Sequence, residues 1–192
     1  MARNYDFQPD RDRSGNFDKM LLSQRQRFGL LRWILFSVLS LLALLVQDSI
    51  VYRLDLYGAS ADLVPCVIIM ITSLQGAEAG SIFSLIASIL FFYSGSAPGP
   101  MVVALLPILS ILVTIFRQAY LRRGFFSILL STAMGMVLYE LSLFGIGLFL
   151  DYTISQWFPS AVLTAALSLC ALPVAYPIAR SISKIGGQTW KE

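Results

Sequence analysis

Among the ionisable residues of this 192-residue chain, Glu140 stands in the least ordinary place. No charged residue lies between Phe125 and Tyr139 before it, nor from Leu141 to Leu150 after it. A carboxylate inside such an apolar run is expensive in a bilayer, and residues of this kind face the bundle interior or a cavity. Its chemistry suits ligand binding, proton coupling, a polar latch to a partner helix, or a structural hydrogen bond to a Ser or Tyr on a facing helix. Catalysis fits poorly. Histidine is absent, which removes the commonest general base, proton relay and transition-metal ligand. No nucleophile–base pair can be assembled around a lone intramembrane acid. Cys66 and Cys170 sit inside apolar runs at no metal-ligand spacing and read as packing residues. Asp48, Asp55, Asp62 and Asp151 fall at the ends of apolar segments, where solvated carboxylates are ordinary. The stretch Ser94-Gly-Ser-Ala-Pro-Gly-Pro100 is broken by proline and reads as a turn, not a phosphate loop. The expectation is a protein that is not an enzyme and carries no cofactor or metal.

A second pattern concerns packing. Gly76, Gly80, Ser84 and Ser88 recur at every fourth position and form one stripe along a helix. In lipid, helices gain little from apolar burial alone. They associate through close backbone approach and interhelical hydrogen bonds, which small-xxx-small surfaces favour. The stripe therefore predicts tight contact, either with a neighbouring helix of the same chain or with another protein. Ser127, Ser131 and Gly135 repeat the spacing just before Tyr139 and Glu140.

The elements that must position these residues are membrane helices. Apolar residues make up 57% of the chain, charged ones 13%, and the mean hydropathy is +0.73, whereas a soluble domain is about a quarter charged. Apolar segments cover Leu31–Gln47, Ala61–Leu74, Gly80–Tyr93, Met101–Phe116, Phe125–Leu150 and Ser160–Ile178. These give an all-α, polytopic membrane protein with six transmembrane helices. Its parts are a cytoplasmic tail over 1–29, a six-helix domain over 30–180 and a short tail over 181–192. The segment 20–33 reads either as an amphipathic helix on the inner membrane face or as part of a disordered tail. The second and third segments are short enough to form a re-entrant hairpin instead. Full spans are favoured because Asp62 and Gln75 can extend the second helix into the headgroups.

Charge sets the orientation. Arg3, Arg11, Arg13, Lys19, Arg25, Arg27 and Arg32 precede or open the first span. Arg117, Arg122 and Arg123 lie between the fourth and fifth, and Arg180, Lys184 and Lys191 follow the sixth. Only Arg53 falls on the other side. Short-loop cations mark the cytoplasmic face, so both termini are expected there. An anionic leaflet beside them accounts for the basic balance, and no nucleic-acid partner is implied.

From Gln47 onward the order of features resembles MreD, the rod-shape-determining membrane protein family of bacteria. The counterparts are Gln47, Gly58, Ala61-Asp62-Leu63, Gly76, Gly80, Ser84-Leu85, Ser88, Ser94-Gly95 and Gly99, with Tyr139-Glu140-Leu141 in the fifth helix. The resemblance covers roughly residues 35–180. It departs from the family at Ala61, where a proline is usual, and at Ser88, where the third helix usually carries an Asp. It implies a bundle like that of the ECF-transporter S components, in the bacterial plasma (inner) membrane. It further implies a non-catalytic scaffold of the elongation machinery that organises cell shape and lateral wall synthesis. MreC would be the direct partner, and MreB and the peptidoglycan synthases indirect ones. Gly76, Gly80, Ser84, Ser88, Gly135 and Glu140 would serve as helix-packing or partner-interface residues. The alternative is an ECF-type S component binding a vitamin or other small molecule. Such subunits usually carry an Ala-xxx-Ala surface on the first helix, where this chain has Ser37, Ser40 and Ala43. Asp151, Tyr152, Gln156 and Trp157 could supply polar groups for such a ligand.

Overall fold

The computed structural model describes residues 24–49, 61–121, 124–149 and 154–185, with backbone alone for 24–26 and 154–157. All the regular structure among them is helical: α1 (Gln24–Ser49), α2 (Leu63–Gln75), α3 (Ala77–Tyr93), α4 (Val102–Tyr120), α5 (Phe125–Phe149), α6 (Ile154–Cys170) and α7 (Leu172–Ser183). α1, α4 and α5 are long and apolar enough to cross a membrane, and α6 with α7 makes a fourth crossing if the bent pair is one span. α2 and α3 are shorter.

Polarity is arranged inside out. Ile34, Leu41, Leu45, Ile86, Ile108, Ile115, Leu130 and Val162 are exposed, while Ser84, Ser88, Ser110, Thr114, Ser131 and Thr132 are buried. Water would reverse that distribution, whereas lipid tails accept the apolar exterior and leave hydroxyls to find partners within. All of these hydroxyls but that of Ser110 bond to carbonyls of their own helices: Thr114 donates to Ser110 O at 2.7 Å and Thr132 to Ile128 O at 2.8 Å.

α2 is the hub. Its residues from Val64 to Ser73 are buried without interruption, and it packs against each of the other six helices. Such a helix needs no polar face, which explains why LVPCVIIMITSLQ shows no amphipathic pattern. Aromatic pairs tie the periphery together: Trp33 and Phe36 of α1 meet Phe83 of α3 edge-on, and Phe125 of α5 meets Tyr176 of α7 at 4.7 Å.

Gly76 joins α2 to α3 in one residue. Its φ of +94° lies in the region that side chains avoid. Its N–H closes α2 on Thr72 O at 3.0 Å, and its carbonyl accepts the Gly80 N–H at 2.9 Å to open α3. The resulting hairpin has fixed ends. Gly76 faces Gln118 near the C-terminus of α4. At the other end the Val64 N–H donates to Gln47 of α1, and Ser96, just past α3, donates to Asp48 of α1. The hairpin thus runs from the level where α1 ends to the level where α4 ends.

Three boundaries differ from the sequence reading. From Gln24 the segment read either as a membrane-face helix or as disordered tail forms the first turns of α1, while residues 20–23 fall outside the described set. The third helix starts at Ala77, not Gly80, because Gly76 alone makes the turn. The sixth segment is two helices bent by 46° about Ala171. Pro173 at the start of α7 lacks the N–H that would continue α6 and crowds the carbonyl four residues back.

Candidate functional site

The small residues work inside the chain. A β-carbon on Gly80 would fall 2.6–2.9 Å from Thr72, backbone included, so α3 lies directly on α2 there. Thr72 Oγ1 donates to Ile68 O at 2.8 Å and reaches Gly80 O at 3.4 Å. Ser88 Oγ donates to Leu85 O at 2.9 Å and lies 3.3 Å from Val103 O, next to the start of α4. Ser84 is buried and donates to Ser81 O at 3.0 Å. A β-carbon on Gly135 would come within 2.9 Å of Ile69 and 3.3 Å of Val113, so α5 closes on α2 and α4 at that point. These positions are used up by the fold.

A polar floor forms where α2 begins. Its first N–H groups have no helical partners of their own, and Asp62, at the N-cap, makes no side-chain cap. Two other helices satisfy them. The Val64 N–H donates to Gln47 Oε1 of α1 at 2.9 Å, and the Asp62 N–H donates to Ser168 Oγ of α6 at 2.7 Å. Ser168 in turn donates to Thr164 O at 2.7 Å. Gln47 is completely buried, and its Nε2 has no partner among the described residues.

Glu140 stands beside this floor, on α5. It is 8% exposed, its Oε1 has no hydrogen-bond partner among the described residues, and the Asp62 carboxyl lies within Coulombic range. Past this level α5 and α6 run on as a pair without α2 to fill the space between them. A crevice of about 240 Å³ opens there. One wall is Val137, Glu140, Leu141 and Phe144 of α5. The other is Phe158, Ala161, Val162, Ala165, Ala166 and Leu169 of α6. Phe144 and Phe158 meet edge-on at 6.2 Å across it. Glu140 is its one ionisable lining residue.

Glu140 is therefore the one sequence-derived candidate that lines this crevice; Gly76, Gly80, Ser84, Ser88 and Gly135 do not join it. Asp151 and Tyr152 lie outside the described residues, and of Gln156 and Trp157 the backbone alone is described. Sequence reasoning did not single out Ser168 or the Ala161/Ala165 wall. A spacing of four between the two alanines was the available signal. Among the described residues no group of three or more His, Cys, Asp or Glu gathers where a metal could be held. Comparison of the chain with protein-family models, curated proteins and solved structures finds no significant match in any of the three.

Proposed function

We propose that this protein is a non-catalytic, multi-pass scaffold of the MreD kind, with six membrane crossings and both termini cytoplasmic. On this reading it sits in the bacterial plasma membrane, binds MreC, and through it helps regulate wall synthesis along the cell's length. The observation that carries the reading is that four of the residues bearing the resemblance have distinct structural jobs. Gln47 accepts the Val64 N–H in the first turn of α2, Gly76 turns the chain, Gly80 admits Thr72, and Glu140 lines the crevice between α5 and α6. Six crossings are supported by the α2–α3 hairpin, which extends from the end of α1 to the end of α4.

A vitamin-binding S component needs several polar groups converging on one cavity. The crevice between α5 and α6 offers one, so this second reading has less support.

The test is a mild-detergent pull-down of the tagged protein from native membranes, with mass spectrometry of the co-purifying chains. Recovery of MreC with wall-synthesis proteins is the expected result. Recovery of a coupling membrane protein with paired ATPases would overturn it.

A further inference from the structure

The crevice between α5 and α6 has the form of a helix seat. Its α5 wall is spaced 137, 140, 141, 144, and its α6 wall runs 158, 161, 162, 165, 166, 169. Each is one face of a helix at i, i+3, i+4 and i+7 spacing, and together they extend along about three turns. Ala161 and Ala165 keep the α6 wall low, which lets another backbone come close. Val137, Leu141, Phe158 and Val162 are exposed, so the groove opens outward. Lipid tails could fill apolar space of this kind, but they bring no hydrogen-bond donor. Glu140 Oε1 is buried and unpartnered among the described residues and lines this groove, and a polar atom left so costs free energy until a donor reaches it.

We propose that the groove between α5 and α6 seats one membrane helix of a partner protein, whose hydroxyl or amide side chain donates to Glu140. The proposal rests on the scaffold reading only in requiring a partner helix. It does not depend on which protein supplies that helix.

The test places a photo-crosslinking benzoylphenylalanine at Val162, in the groove, or at Ile115, on the exposed face of α4, in the full chain within its own membranes. Adducts are mapped by peptide sequencing. The expected adduct from position 162 is a membrane-helix peptide of another protein carrying Ser, Thr, Asn or Gln, with far less at position 115. Adding Glu140→Leu should lower the yield at 162 about threefold or more, the scale of one interhelical hydrogen bond in a membrane. Glu140→Gln retains an acceptor oxygen and should preserve it. Ala165→Leu, which raises the α6 wall and leaves the Glu140 side chain unchanged, should abolish it. Equal yields in the wild type and Glu140→Leu would overturn the proposal. So would adducts at 162 made only to lipid, to residues 50–60 of the same chain, or to a second copy. Capture of MreC at 115 alone would sink the groove and leave the scaffold reading standing. A donor-bearing helix from an unrelated transport protein at 162 would do the reverse.

Discussion

Gly80 of α3 lies so close to Thr72 of α2 that a β-carbon there would fall 2.9 Å from the threonine's Cα and carbonyl oxygen. Backbone cannot rotate aside as a side-chain tip can. Gly80→Ala should therefore open the α2–α3 hairpin and cost about 1–3 kcal/mol, the usual range for overpacking a close contact. Gly80→Leu should cost more. Gly99→Ala, where nothing lies within 4 Å, is the control and should change stability by less than about 0.5 kcal/mol. Thermal unfolding in detergent, in a Cys170→Ala background that removes the exposed thiol and followed by a thiol-reactive dye at the buried Cys66, reads all three. An unchanged midpoint for Gly80→Ala would show that the helices are not in contact.

Gln47 makes a different contribution, since it supplies an acceptor to a helix that cannot cap itself. Gln47→Leu leaves the Val64 N–H buried without its partner, at a cost of about 1–3 kcal/mol. Gln47→Met keeps the length and volume but offers Val64 no comparable acceptor, and it should destabilise about as much as the leucine if that bond is what matters. A methionine variant close to wild-type stability would show that packing, not the hydrogen bond, sets the effect.

The stripe 76-80-84-88 was legible because four-residue spacing has one meaning on a helix, close approach. It could not say to what, since an internal neighbour and a foreign helix leave the same pattern. In the structure Thr72 supplies the contact to Gly80 and Val103 the one to Ser88. Glu140 was legible as an anomaly of charge in an apolar run. Its groove was not, because the space depends on where α2 stops relative to α5 and α6, a matter of tertiary level and not of local sequence. The bend at Ala171 was hidden for a related reason. Pro107, Pro159 and Pro177 all lie within helices, so a proline alone did not tell which apolar segment would break.

Glu140 should also behave as a residue kept for something other than stability. Replacing an unpartnered buried acceptor by an apolar side chain relieves its desolvation cost, about 1–3 kcal/mol for such a group. Glu140→Leu in the isolated protein should therefore raise the unfolding midpoint by a few degrees, a shift of roughly 2–4 °C for each kcal/mol in a chain of this size. Glu140→Gln should fall between the leucine and the wild type. A lowered midpoint for the leucine would mean that the carboxyl already has a partner inside the bundle, leaving nothing for a docking helix to satisfy.

The hairpin gives the sharpest test of topology, because its two ends are exposed and chemically separable. Glu78, in the first turn of α3, and Pro98, in the turn before α4, are both exposed. With Cys66→Ala and Cys170→Ala as background, Glu78→Cys and Pro98→Cys can each be challenged with a membrane-impermeant maleimide. Six crossings with cytoplasmic termini require that Pro98→Cys react in intact spheroplasts and that Glu78→Cys react only in inverted vesicles. A hairpin that dips in and returns would hold residue 78 within the bilayer, where the thiolate needed for the reaction does not form, and neither preparation would label it. Labelling of Glu78→Cys from the outside would reverse the orientation drawn from the arginines and lysines. The hairpin's depth and the charge rule are thus tested by the same pair of cysteines.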